Sequence, residues 1–285
     1  MFIQQVIQGL AIGSVYGLMA LGYALMWQAW AVLDFARGEA AMIGAFSILI
    51  FHSFFKIPFV VAFPLAIASS ALLGYVIQWL AYRPLIGGIP INRLIATLGM
   101  GILLRNLARV IYGADPYPFP TVFGDKPVSI GNVLVVPQNV WITAIGFTLV
   151  ILLRVFLTRT YTGKAMRAAA QDRETAALMG IRVKQSMALT FVLATGLGAM
   201  AGLLVAPVYF VRADMGLSIG LRGFASAVLG GLDSVTGAMV GGLLLGVTEN
   251  LAAGYISSGY QAAIAFSIMI LILIFRPQGI MGRRL

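Results

Sequence analysis

RTYTGKAMRAAAQDRETAALMGIRVKQS, residues 159–186, is a charged interval inside a strongly apolar chain. It carries eight charged side chains, whereas the whole sequence has only 19 basic and 9 acidic residues. Long apolar runs lie on both sides of it. This contrast predicts a membrane protein whose one long charged loop, 159–186, meets the cytosol.

Composition assigns most of the chain to lipid. Of its 285 residues 60% are hydrophobic and 10% charged, and the mean hydropathy is +0.97. A soluble domain has about 25% charged residues, and a helical span needs roughly 20 residues. We therefore predict an all-α, polytopic membrane helix bundle, a single domain over 1–285. Eight or nine apolar segments lie near 6–26, 39–55, 57–80, 92–112, 140–158, 187–210, 218–232, 235–253 and 259–275; the short, Gly-rich segment 218–232 suggests a broken helix.

The net charge of +10 has a simple explanation in a membrane protein. Cytoplasmic loops collect Lys and Arg, so the charge indicates orientation in lipid and does not call for a nucleic-acid partner. With 159–186 in the cytosol, the N-terminus lies outside and the C-terminus inside a cell inner membrane. The sequence contains no cysteine, which excludes thiol chemistry.

Residues 113–139 form the one long extracytoplasmic loop of this topology. Five prolines exclude a long helix there. Val128–Ile130 and Val133–Val136 flank Gly131-Asn132, a sequence typical of a tight hairpin turn. An ordered loop of this kind either receives a partner protein or caps the helix ends.

Within 159–186 the sequence predicts a short helix. Asp172 is suited to its N-cap and Glu174 to its first turn, while Gly180 is suited to its end. Such a helix, with an exposed charged side, fits a groove on a cytosolic partner. The alternative is a solvated connector.

A second polar feature interrupts the apolar runs at 27–39, where Asp34, Arg37 and Glu39 occur together. Charged groups at membrane depth tend to be functional, so this break is either an unwound stretch that lines a path or an ordinary turn with an Asp34–Arg37 pair. Thr97 lies deep in the fourth segment. Glu249 contacts either substrate or a partner arginine. Arg105 and Arg109 share a helix face, and we expect both to snorkel outward.

Motifs for enzymatic chemistry are absent from the sequence: it has no zinc-ligand spacing, phosphate-binding loop, nucleophile elbow or dinucleotide fingerprint. We expect no catalytic residue, no metal site and no cofactor. A transport subunit is the leading hypothesis. The alternative is a self-sufficient channel or secondary transporter for a small polar solute such as urea or an amide.

Five stretches resemble the permeases of branched-chain amino acid ABC importers. They cover most of the chain in the family's order, and they resemble the LivH type of subunit more than the longer LivM type. Arg37 stands where the family often has His. The stretches are LDFARGEAAMIGAF (33–46), IATLGMGILLRNLARVIYG (95–113), TYTGKAMRAAAQDRETAALMGI (160–181), GFASAVLGGLDSVTGAMVGGLLLGVTE (223–249) and FRPQGIMGRR (275–284).

The resemblance implies a subunit without ATPase activity of its own. Its implied partners are a second permease, identical or related, two cytosolic ABC ATPases, a periplasmic substrate-binding protein and membrane lipid. Residues assigned to coupling with the ATPases are Gly163, Arg167, Asp172, Glu174, Leu178 and Gly180. Residues assigned to the translocation path are Asp34, Phe35, Gly38, Thr97 and Glu249.

Overall fold

The computed structural model describes residues 2–31, 33–85, 89–120, 128–130 and 133–282. Within these ranges the chain is a bundle of apolar helices, as predicted, and seven of them are long and apolar enough to cross a membrane. The chain is therefore a multi-pass membrane protein. The helices are α1 (Phe2–Trp30), α2 (Arg37–Ile48), α3 (Phe59–Ile77), α4 (Pro90–Tyr112), α5 (Pro137–Arg159), α6 (Tyr161–Gln171), α7 (Arg173–Leu178), α8 (Val183–Tyr209), α9 (Met215–Gly230), α10 (Val235–Tyr255) and α11 (Gln261–Phe275).

Helix α1 occupies the centre of the bundle and is buried along most of its length. Glycines spaced by four let α10 approach it with antiparallel backbones. A Cβ added at Gly9 would lie 2.6 Å from Val247 Cα, and one at Gly13 would lie 2.9 Å from the main-chain oxygen of Gly242. Because lipid provides no hydrophobic drive for helix association, such close small-residue packing holds the two helices together.

Two helices change their winding before they end. A π-helical segment, Leu49–Phe54, continues α2, and another, Gln78–Tyr82, continues α3. Helix α9 has only 16 residues, which agrees with the prediction of a short helix in this part of the chain. Short and irregular segments at membrane depth occur where they are enclosed by protein.

The predicted hairpin is present. Strand β1 (Val128–Ile130) pairs antiparallel with β2 (Val133–Val135) in the register Val128↔Val135. The turn at Gly131-Asn132 lies outside the described residues. Tyr117 exchanges two main-chain hydrogen bonds of 2.9 Å with Val211, just beyond α8, and so anchors the loop to the bundle.

Candidate functional site

The break between α1 and α2 lies inside the bundle. Helix α2 begins at Arg37, whose guanidinium donates a 3.0 Å hydrogen bond to Thr195 Oγ1. Thr195 lies midway along α8, about 18 Å from the start of that helix at 1.5 Å per residue. The chain thus leaves α1 at Trp30, returns into the bundle, and starts α2 at mid-depth. This geometry fits the unwound stretch better than a turn on the cytosolic surface.

An ion pair stabilises the break, as one of the two sequence-based alternatives predicted. Arg37 Nη2 lies 2.5 Å from Asp34 Oδ2, and both side chains are buried. Asp34 Oδ1 also accepts hydrogen bonds from Ala36 N at 3.1 Å and Tyr82 Oη at 3.3 Å. The Arg37 guanidinium lies 4.8 Å from the centre of the Phe191 ring. Buried charges require such partners because their desolvation is costly.

A second pair joins the start of α2 to α4. Arg105 Nη2 and Nε donate to Glu39 Oε1 at 2.5 and 3.1 Å, so the prediction that Arg105 snorkels outward is wrong. A buried carboxylate needs a charged partner, so Arg105 pairs with Glu39 and does not extend its guanidinium into water. Glu39 Oε2 is buried and has no partner within the described residues.

Two small cavities border Asp34. One, of about 10 Å³, is lined by Asp34, Trp30, Tyr82, Arg93 and Thr97, among others. The second, of about 20 Å³, extends towards Phe191 and Thr195. Each has room for roughly one water molecule, so the break is closed to an amino acid in this conformation. Trp30 Nε1 and Arg93 Nε are buried donors without a partner in the described part of the chain.

The remaining residues assigned to the path occupy different environments. Phe35 is partly exposed and packs against Phe224. Thr97 is buried, and its hydroxyl donates to the main-chain oxygen of Leu94. Gly38 contacts α9 so closely that an added Cβ would lie 2.3 Å from the Gly216 oxygen. Gly38 therefore serves helix packing; its assignment to the path stays a prediction.

Glu249 lies apart from the break and has an arginine partner. Its Oε1 accepts a hydrogen bond of 2.6 Å from Arg222 Nε, which joins α10 to α9. Arg222 also donates to Ser218 Oγ at 2.5 Å. The ion-pair alternative for Glu249 is confirmed, and a direct role towards substrate stays a prediction.

The charged loop 159–186 contains two helices. Thr160 caps α6 by accepting a 3.0 Å hydrogen bond from Gly163 N. Gly163 packs against the end of α5, where an added Cβ would lie 2.2 Å from the Phe156 oxygen. Arg167, on the same helix, is exposed. Gly163 therefore fixes the angle between α5 and α6, while Arg167 faces outward.

Helix α7 has the two ends that the sequence predicts. Asp172 Oδ1 accepts hydrogen bonds from Glu174 N at 2.9 Å and Thr175 N at 3.1 Å. Hydrogen bonds from the Thr175 hydroxyl and backbone lower the pKa of Asp172, so the cap stays charged. Gly180 adopts φ +82° and ends the helix in a Schellman motif, with Ile181 N donating to Ala176 O.

One face of α7 is exposed, and the other is hydrogen-bonded to α1. Leu178 and Met179 are 87% and 79% exposed at its tip, next to the exposed Glu174. On the opposite side, Arg173 Nη2 donates a 2.7 Å hydrogen bond to the Ala29 oxygen at the end of α1. Burial, and to a lesser degree the charge of Arg93, lowers the pKa of Arg173. The exposed helix is thus tied to the last turn of α1, a contact that the sequence did not reveal.

No group of three or more His, Cys, Asp or Glu side chains with metal-binding geometry occurs within 2–31, 33–85, 89–120, 128–130 and 133–282. The ionisable groups of the break are instead paired with one another.

Comparison with known proteins agrees with this geometry. The family model described as branched-chain amino acid transport system / permease component matches residues 5–274. The high-affinity branched-chain amino acid transport system permease protein BraD of Pseudomonas aeruginosa is 35% identical, over 99% of this chain and 96% of its own length. The corresponding permease protein LivH of Salmonella typhimurium is 33% identical over the same shares.

A solved structure resembles the fold. A chain of PsaBC from Streptococcus pneumoniae in complex with Fab matches with a TM-score of 0.52 and 15% identity. The match covers 96% of this chain and 91% of that one. At this level of identity the likeness concerns the helical architecture alone.

Proposed function

The chain belongs to the family of permease components of branched-chain amino acid transport systems, and we propose that it moves branched-chain or related amino acids into the cytoplasm. As a permease component it is a non-catalytic transport subunit, and the family match favours this function over a self-sufficient channel or secondary transporter. In the proposed complex two cytosolic ATPases supply the energy, and a second permease, identical or LivM-like, completes the pore in the inner membrane.

The family match supports the class of solute, and the observation that supports coupling to the ATPases is the hydrogen bond from Arg173 to the Ala29 oxygen. It joins α7, whose tip is exposed, to the last turn of α1. An ATPase that holds Glu174 and Leu178 and moves on closing around ATP would pull on that turn through Arg173. The strain would then reach the break directly, because Asp34 lies only a few residues further along the chain.

The break supplies suitable groups for a zwitterionic solute. Trp30 Nε1 and Arg93 Nε are buried donors without a partner in the described residues, which suits a carboxylate. Asp34 can accept a hydrogen bond from an ammonium group. The small cavities between these side chains represent the closed state, and alternating access requires that they widen. Weak binding here is sufficient because a periplasmic binding protein would supply most of the selectivity.

The outer loop is the proposed contact for that binding protein. Its described parts include the β1–β2 hairpin and the pairing of Tyr117 with Val211, next to the end of α8. Val128 is exposed on this hairpin. On the cytosolic side, α7 would contact the ATPases. Binding of a partner on either side would then act on a helix that borders the break, α8 from the outside and α1 from the inside.

The test begins with purification of the tagged chain in mild detergent from its native membrane. We expect two ATPase subunits, a second permease subunit and, with its ligand, a binding protein to co-purify. In proteoliposomes the complex should accumulate leucine, isoleucine or valine only with binding protein and ATP. Flux of the same solutes through the chain alone, without ATPases, would contradict the proposal.

A further inference from the structure

A cavity of about 310 Å³ opens between the end of α3 and the start of α8, away from the break. It lies where α3 changes into its π-helical segment, and such widened turns often occur at functional sites. Its walls combine cationic, amide and aromatic side chains, which are Arg83, Lys184, Gln78, Gln185, Tyr75 and Trp79.

The charge of this cavity favours an anion. Arg83 and Lys184 are both exposed, and no carboxylate is among the described residues that line the cavity. The two amides, Gln78 and Gln185, add hydrogen-bond donors. A phosphate group carries acceptor oxygens that match guanidinium, ammonium and amide donors.

The depth of the cavity favours a lipid as the source of that phosphate. Lys184 lies in the first turn of α8, at the end of the charged loop 159–186, so the cations are at the level of the inner-leaflet headgroups. Trp79 is 52% exposed, and aromatic side chains of this kind concentrate at the membrane interface. One to two turns towards the bilayer centre, Leu72 and Val76 present an exposed apolar surface on which acyl chains can lie.

We propose that this cavity, hereafter the α3–α8 site, binds the headgroup of an anionic phospholipid from the cytosolic leaflet. Arg83 and Lys184 hold the phosphate, Gln78 and Gln185 contact the polar headgroup, and Trp79 covers the junction with the acyl chains. Basic pockets between helices on the cytosolic side are known to recognise acidic headgroups in this manner. The bound lipid would connect α3, whose Gly74 and Ile77 line the second cavity of the break, to α8.

The experiment uses the complete detergent-purified complex and counts retained lipids by native mass spectrometry. Phosphatidylglycerol and phosphatidylcholine are offered at equal concentration. We expect preferential retention of phosphatidylglycerol and a loss of about twenty- to thirtyfold in its apparent affinity for the Arg83→Gln/Lys184→Gln variant, at about fivefold per cation. The matched control, Arg154→Gln/Arg159→Gln, removes two exposed cations from the cytosolic end of α5 and should bind as wild type.

Two further arms identify the source of the phosphate. Trp79→Leu should weaken phosphatidylglycerol binding, and glycerol phosphate without acyl chains should not displace the lipid at equal concentration. Displacement by glycerol phosphate, or by inorganic phosphate, would mean a soluble-anion site and would overturn the lipid proposal. Equal retention of phosphatidylglycerol by the double variant and its control would overturn the site itself.

Discussion

Arg173 Nη2 donates a 2.7 Å hydrogen bond to the main-chain oxygen of Ala29, although 144 residues separate the two in sequence. The contact joins the first residue of α7 to the last turn of α1. The Ala29 oxygen is one of the four carbonyl groups that the end of a helix leaves without an intrahelical partner. A side chain of the charged loop 159–186 therefore provides a partner for a carbonyl at the end of a helix that runs through the centre of the bundle.

Replacing Arg173 by Met should uncouple ATP hydrolysis from uptake, because the apolar stem remains while the hydrogen bond to Ala29 is lost. We expect assembly with the ATPases and basal hydrolysis to be retained, while binding-protein-dependent uptake falls at least tenfold. Both rates can be measured in the same proteoliposomes. The control is Arg182→Met, which removes an exposed cation of the same loop. Equal uptake by the two variants would show that the Arg173–Ala29 contact does not transmit movement.

Glu39 and Arg105 should stabilise the protein only when both charges are present. Arg105→Gln leaves a buried carboxylate without its cation, which costs about 3 kcal/mol, and Glu39→Gln should be similarly harmful. The double variant should recover most of the loss, since both charges are gone. Thermal unfolding of the purified protein, followed by tryptophan fluorescence, measures the cycle. Additive losses in the double variant would show that the two side chains do not interact.

The close approach of α1 and α10 should depend on glycine at particular positions. Gly246→Ala places a Cβ 2.3 Å from Gly13 Cα, and such overpacking typically costs about 1–3 kcal/mol. Gly99→Ala is the matched control, because nothing lies within 4 Å of its added Cβ and alanine favours the helix. The same thermal measurement should show loss of stability for the first variant and none for the second. The opposite order would contradict the packing described for these helices.

The break should change its exposure during the transport cycle. The Phe35→Cys variant would carry a single cysteine, because the natural sequence contains none, so a thiol reagent would report on this position alone. Phe35 is partly exposed and borders the buried Asp34, so its reaction with a small water-soluble thiol reagent should differ between nucleotide-free and ATP-trapped complexes.

Two other cysteine variants complete that measurement. A cysteine at Leu178 reports the exposed tip of α7, and we expect ATPase assembly to protect it in both states. A cysteine at Thr97 tests the inner wall of the smaller cavity. Gly38 is unsuited to this experiment because any side chain there meets α9. Identical reactivity at Phe35 and Thr97 in every state, with uptake retained, would place the path elsewhere.

Local features of this fold were predictable from the sequence, and remote contacts were not. Asp172 and Gly180 act within one turn of α7, so their residue types alone predict a cap and a stop. The apolar runs predict the helices because backbone groups in lipid must be satisfied within each segment. The hairpin follows from the residues that flank Gly131-Asn132.

The contacts of the break depend on tertiary packing instead. Glu39 and Arg105 are 66 residues apart, and an arginine near a helix end has the same sequence signature whether it snorkels or pairs. The mid-depth start of α2 likewise requires α8, through Thr195, to be in place. The position of Gly38 in the polar break predicts a place on the path, whereas its close packing depends on the glycines of α9, which are remote in sequence.

We propose that the exposed face of α7 transmits the energy of ATP hydrolysis, and Glu174→Arg tests this role most directly. Glu174 is exposed, and reversing its charge in the first turn of α7 costs only about 1 kcal/mol, so the variant should fold and insert normally. The control is Asp233→Arg, which reverses another exposed acid, in the turn between α9 and α10. The measurement is ATP-driven uptake of leucine by the reconstituted complex, at equal amounts of permease. We predict that Glu174→Arg reduces uptake to background while Asp233→Arg transports as wild type; wild-type uptake by Glu174→Arg would contradict the coupling role of α7.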